Sequence, residues 1–315
     1  MNKFYVYTAK LLLYFFRILN IKKKFTNKIQ FNLGFNNIMI SSQKYDRVKY
    51  ISDSECRVYS QNGEDGIINY LITKLEIYKP NFIEIGIGNY IEANTRFLYE
   101  RFYPKGIIID CEKNLSNKVN LEVNTWKGDL RVIETLVNKD NINSLISKNC
   151  DFQIDIFSLD IDSIDYWVLE EVNLINSKIV IAEYNPIFGS TLEITVPNIN
   201  NFNRKKYHYS HLCYGMSLLA LVKLMKNKRY YFIGSNSTCN NAFFISENFS
   251  KNDYFSNLLI RDLNYYVNSN IRESRDINNK LNYLTGSKKI ENIKDCEVVD
   301  LSKETKPIVK ILDLI

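Results

Sequence analysis

Four short apolar runs, each dense in β-branched residues, constrain this chain more than any other feature in it. They are Phe82–Ile87, Gly106–Asp110, Ile156–Asp160 and Ile179–Tyr184. A short run that is apolar at consecutive positions reads as a strand buried on both faces, and helices covering a parallel sheet provide that burial. Helix-like segments accompany the runs at Gly66–Leu75, Thr95–Phe102, Ile142–Lys148 and Asp165–Ile175. Strand and helix in alternation predict right-handed crossovers and a doubly wound, mostly parallel α/β sheet. The alternation stops after the helix Gly215–Lys226. Tyr230–Gly234 and Ala242–Ile245 are separated only by the polar spacer Ser235–Asn241. That spacer is too short for a crossover helix, so these two strands predict an antiparallel hairpin.

The rest of the chain divides around this block. Residues 56–248 read as one catalytic domain, residues 1–55 as an amphipathic helix and linker, and residues 249–315 as a helical extension or dimer arm. Phe4–Ile21 is strongly apolar, but Lys10 and Arg17 interrupt it and no small-residue cleavage site follows. A secretory signal and a membrane span are both disfavoured. Two readings stay open: a helix lying on an anionic membrane surface beside Lys22–Lys24, or a helix docked on the protein or on a second copy in a homodimer. The aromatic content of 13% argues against disorder. A net charge of +6 reads first as a solvated surface, with a phosphorylated or acidic partner as the alternative. No basic-aromatic stripe points to nucleic acid. The cysteines, Cys56, Cys111, Cys150, Cys213, Cys239 and Cys296, form no C-x-x-C pair. They read as reduced thiols of a cytoplasmic protein, peripheral at the inner membrane face if the N-terminal helix meets lipid. Two histidines, His208 and His211, are too few for a His-rich metal cage.

Chemistry concentrates at the ends of the predicted strands. Phe82–Asn89 carries Glu84 and then Gly86 and Gly88, where glycines let a ligand approach the backbone. An acid there would repel a pyrophosphate but suits a cation, which favours the sulfonium and ammonium of S-adenosylmethionine over a dinucleotide. Asp110 ends the next run, 24 residues after Gly86, with Glu112 close behind. An acid at that place accepts both ribose hydroxyls of an adenosine. The third run ends in Asp160, Asp162 and Asp165, and the fourth in Glu183 and Asn185. Adjacent parallel strand ends lie about 5 Å apart, so Asp160, Asp162, Glu183 and Asn185 can converge on a Mg or Mn site. The alternative is that Asp162 and Asp165 cap the next helix while Glu183 orients a substrate hydroxyl without metal. His208 and His211 follow the fourth run on a loop expected over the active edge, where a histidine can act as a general base. The earlier segment Tyr59–Gly66 reads as a helix start in contact with the donor carboxylate, or, alternatively, as one in which Ser60 or Asn62 caps the helix instead.

In order along the chain, SQNGEDGII, FIEIGIGNYIEANTRFLYE, PKGIIID, DNINSLI, FSLDIDSIDYWVLEEV, IVIAEYNP and YGMSLLALVKLMKNKRYYFIGSNSTCNNAFFI resemble the FkbM-like S-adenosylmethionine-dependent methyltransferases, over residues 59–246. The similarity is to a subgroup associated with bacterial surface polysaccharides. It implies a Rossmann-like class I methyltransferase sheet of seven strands with a reversed last strand, flanked by helical N- and C-terminal extensions. By the resemblance Glu84, Gly86 and Asp110 match donor-binding positions, and Asp160 and Asp162 match the acidic block facing the acceptor. Asn89-Tyr90 and Ser163 stand where glycines are usual. The full donor-binding expectation is Gln61, Glu84, Gly86, Gly88, Asp110, Cys111, Asp129 and Asp160; the catalytic expectation is Asp160, Asp162, Glu183, His208 and His211. The leading functional expectation is O-methyl transfer to a hydroxyl of a sugar or glycan precursor. An NAD-dependent sugar oxidoreductase and a non-catalytic donor-binding scaffold are the alternatives.

Overall fold

The computed structural model describes residue 14 and residues 26–174, 177–249, 251–268 and 274–315. The apolar segment Phe4–Ile21, and with it the surface-helix reading, lies outside the described residues apart from Tyr14, which is helical and exposed. No helix among the described residues is long and apolar enough to cross a membrane.

The expected strands form where β-branched residues are buried on both faces: β1 (Phe82–Ile85), β2 (Gly106–Asp110), β4 (Ile156–Leu159) and β5 (Ile179–Glu183). A further parallel strand, β3 (Leu130–Glu134), lies at the edge beyond β2. The hairpin comprises β7 (Tyr230–Ser235) and β8 (Asn241–Ser246), and β8 runs antiparallel between β5 and β7. The seven strands stand in the order β3-β2-β1-β4-β5-β8-β7. Register is even across the centre: Ile83 pairs with Ile107 on one side and with Phe157 on the other.

Strand alternation sorts the core into two halves. Ile83, Ile85, Ile109, Phe157 and Val180 face one side, packed with residues of α5 (Ile142–Asn149), α6 (Asp165–Glu171) and α8 (Leu218–Asn227). Phe82, Ile108, Ile156 and Ile181 face the other, packed with α2 (Glu64–Lys74), α3 (Arg96–Phe102) and α4 (Leu115–Glu122). Because β1 sits between β2 and β4, the strand order reverses there, and a crevice opens at the carboxyl ends of these parallel strands.

Both flanks differ from the sequence reading. Residues 26–42 are helical (α1) rather than a linker. Phe31, Phe35 and Ile38 recur at helical spacing inside an Asn- and Lys-rich stretch, and they pack against Val58, Tyr59 and Phe97. The C-terminal extension is mixed rather than helical. Beside α9 (Lys251–Phe255) and α10 (Ser287–Asn292) it supplies β9 (Glu297–Asp300) and β10 (Ile308–Lys310). These join β6 (Ile194–Thr195) in an antiparallel sheet ordered β10-β9-β6. The tail thereby clasps the long connection from β5 to α8, which carries the short helix α7 (Arg204–Tyr207).

Candidate functional site

The crevice is a cleft of about 800 Å³. Its floor begins at Gly86, with φ +87°, where a Cβ would stand 1.6 Å from the carbonyl oxygen of Asp160. Only glycine lets the ends of β1 and β4 meet so closely. Gly88, with φ +54°, has open space where its Cβ would be, so the backbone lies bare to the cleft. Asp110, at the end of β2, accepts the N–H of Gly88 at 2.7 Å and of Glu112 at 2.8 Å. Gln61, Cys111 and Asp160 also line the cleft.

The loops around this floor are fastened by buried acids. Glu84 accepts the N–H groups of Asn94 (2.8 Å) and Thr95 (3.0 Å), together with the Thr95 hydroxyl. Burial raises its pKa to about 7. It therefore shapes the turn into α3, and it is not among the residues that line the cleft. Asp65 accepts the N–H groups of Val58, Tyr59 and Ser60, each at 2.8 Å, while the Ser60 hydroxyl accepts the Asp65 N–H at 3.1 Å. Gly63 holds the N-cap position of α2 while Ser60 satisfies an N–H of its first turn, and burial raises the Asp65 pKa to about 6. Asp165 accepts the N–H groups of Ile161 and Ser163, both at 2.9 Å, and burial likewise raises it to about 6.

At the other end of the cleft, Asp160 and Asp162 line its wall and Glu183 lies buried behind them, the three bringing carboxylate oxygens within 4.8 Å of one another. Asp162 has φ +54° and is paired with Arg204 of α7 at 2.5 Å. The guanidinium of Arg204 lies 5.3 Å from the Tyr214 ring centroid. Asn185 does not join the cluster as a ligand. Its Nδ2 donates to the carbonyls of Leu212 (2.8 Å) and Tyr214 (3.0 Å), and its Oδ1 accepts the Ile187 N–H at 3.1 Å. The amide is committed to holding the β5–α8 connection.

Two further expectations are placed elsewhere. Asp129 precedes β3, at the opposite end of the sheet, and pairs with Arg131 at 2.9 Å. The residues that line the cleft after β3 are Thr135, Leu136, Val137 and Asn138. His208 and His211 are not among the cleft-lining residues; His208 Nδ1 shares a 2.7 Å hydrogen bond with the Ser210 hydroxyl. Arg204 and Lys205 line the cleft instead, on the turn just before them. The signal that could have found this turn is Asn203, whose side chain caps α7 by accepting the N–H groups of Lys205 and Lys206.

No protein-family model matches the chain, and no curated protein matches it in sequence. Solved structures with a similar backbone include an S-adenosylmethionine-dependent methyltransferase from Clostridium acetobutylicum, at 10% identity and TM-score 0.38, covering 67% of this chain and 98% of that one. A protein described as a hemolysin from Lactococcus lactis matches at 11% identity and TM-score 0.38, covering 60% and 89%. The geranyl diphosphate C-methyltransferase of Streptomyces coelicolor matches at 11% and 0.32, covering 49% of this chain and 55% of its own length. The fold assignment itself rests on strand order: a mostly parallel seven-stranded sheet with β8 reversed, the Rossmann-like class I methyltransferase arrangement.

Proposed function

We propose that the chain is an S-adenosylmethionine-dependent O-methyltransferase acting on a hydroxyl of a sugar or glycan precursor, of the FkbM-like kind. One observation carries the reading: in a sheet with a reversed β8, the cleft at the β1/β4 crevice is floored by bare Gly88 and edged by Asp110. A cavity of this size suits a nucleoside ligand. When bound, S-adenosylmethionine supplies an electrophilic methyl group on a sulfonium. Asp110 takes the ribose hydroxyls, and the backbone at Gly86–Gly88 lies against the donor.

A nicotinamide dinucleotide is a poorer fit. Its pyrophosphate calls for a helix N-terminus directly after the glycines. Here turns occupy that stretch and α3 begins only at Arg96.

Asp160, Asp162 and Glu183 orient the acceptor hydroxyl and take its proton, with Arg204 as counter-charge at Asp162. These three carboxylates are also the residues that would hold a divalent cation, where it would polarise the acceptor oxygen. The Arg204 pair already supplies positive charge there, so we favour hydrogen-bonding acids without a metal. Holding nucleophile, methyl carbon and sulfur in line is the main task of the two cleft ends.

The test is release of S-adenosylhomocysteine by the full chain in the presence of sugar acceptors. Asp162→Asn should lower kcat by about 100-fold, and chelation by EDTA should leave the parent rate unchanged. Absence of methyl transfer to any sugar hydroxyl, or an Asp162→Asn variant as fast as the parent, contradicts the reading.

A further inference from the structure

The positive charge of this chain is concentrated in one stretch. Residues 1–49 hold ten Lys and Arg against one acid, Asp46, while the remaining residues hold 31 basic against 34 acidic side chains. The net charge of +6 therefore arises wholly from the first 49 positions. Asp46 is itself paired with Lys74 at 2.8 Å. The same stretch carries α1, which is apolar on two opposite faces. Phe31, Phe35 and Ile38 face the protein, where the Phe31 ring lies 5.7 Å from that of Phe97. The Gln30 amide donates to the Val58 carbonyl at 2.6 Å, so the rotation of α1 about its axis is fixed. On the other side stand Ile29, Leu33 and Ile40, which are 44%, 61% and 58% exposed. At the helical turn per residue these three fall within an arc of about 40°, with Asn36 the polar residue at its edge. Lys28 lies beside this stripe and Lys44, Arg47 and Lys49 follow the helix, all of them exposed.

We infer that the outer face of α1 docks on an anionic lipid surface, together with the apolar Phe4–Ile21 and the Lys22–Lys24 cluster that precede it in sequence. Aliphatic side chains sink between the headgroups while the flanking cations meet lipid phosphates, and binding grows with both contributions. A second copy of this chain fits the stripe less well. A two-fold interface brings the same patch together from both chains, so two stretches of nine net positive charges each would face one another. A nucleic acid would use the cations and leave the aliphatic stripe in water. Docking on this face is independent of what the cleft binds.

The experiment is co-sedimentation of the full chain with vesicles of phosphatidylcholine alone and of phosphatidylcholine with an equal part of phosphatidylglycerol, at about 0.1 M and about 0.5 M salt. Two variants accompany the parent, Leu33→Gln/Ile40→Gln and Lys22→Gln/Lys23→Gln/Lys24→Gln. The parent is expected to bind the anionic vesicles at least about tenfold more tightly than the neutral ones, and to weaken as salt rises. Each variant should lose about tenfold or more in affinity for the anionic vesicles. Leu33 and Ile40 belong to no buried cluster, so their replacement should leave the melting temperature at the parent value. Failure of the parent to sediment with anionic vesicles, or equal binding to both kinds, overturns the inference. So does a Leu33→Gln/Ile40→Gln variant that binds as the parent does. Sedimentation velocity without lipid adds the last arm: a dimer that this variant splits gives the stripe to a second copy and overturns lipid docking, while monomers in both support it.

Discussion

Glu84, Asp65 and Asp165 are acids that burial would expel if backbone N–H groups did not hold them. Each secures a loop at the carboxyl edge of the sheet, and each has a pKa raised by burial. For Glu84 the ordinary value is 4.5 and the folded value about 7. Between these values the folded chain keeps a proton that the unfolded chain releases. Stability from this group is therefore complete below pH 4.5 and is lost as pH rises through about 7. Glu84→Gln should remove this contribution and make the pH dependence shallower. It should also destabilise the fold by about 1–3 kcal/mol, because an amide N–H₂ then faces the donors of Asn94 and Thr95. Urea unfolding at pH 5 and pH 7.5 checks this; an unchanged difference between the two would show that Glu84 does not titrate in that window. In the sequence Glu84 was recognisable as an acid before two glycines. Its partners were not, because the return of the chain through Asn94 and Thr95 is a turn with no periodicity.

At the scale of elements, legibility followed burial. β1, β2, β4 and β5 are hidden on both faces and so read as continuous apolar runs. β3 lies at the sheet edge, where only Leu130 is buried, and its Arg131 and Glu134 blur the pattern. The expected donor residue Asp129 precedes β3, whereas the residues that line the cleft follow Glu134. The strands β6, β9 and β10 are too short to show a period, and the pairing of β6 with β9 links positions about a hundred residues apart. That pairing matters for the site, since β6 leads into the turn carrying Arg204 and Lys205. Val298 on β9 is fully buried. Val298→Ala should cost about 2 kcal/mol and speed amide exchange at Ile194–Val196. Exchange there at the parent rate would mean that the tail does not restrain the acceptor side.

For the whole molecule, the topology and the charge distribution agree. A reversed β8 closes the sheet, the β1/β4 crevice opens the cleft, and carboxylates line it from Asp110 to Asp162, where Arg204 answers them. The doubly wound class and the hairpin were legible from run lengths and spacer length. The charge pairing at the acceptor side was not, because Asp162 and Arg204 are 42 positions apart and only the fold brings them together. The central claim is that this cleft holds a methyl donor and not a dinucleotide. The most direct test is calorimetric titration of the purified chain with S-adenosylmethionine and, separately, NAD, repeated on Asp110→Ala. The account predicts micromolar binding of S-adenosylmethionine, weakened at least about tenfold by the substitution, and no binding of NAD. NAD binding at the same site, with S-adenosylmethionine silent, would contradict it.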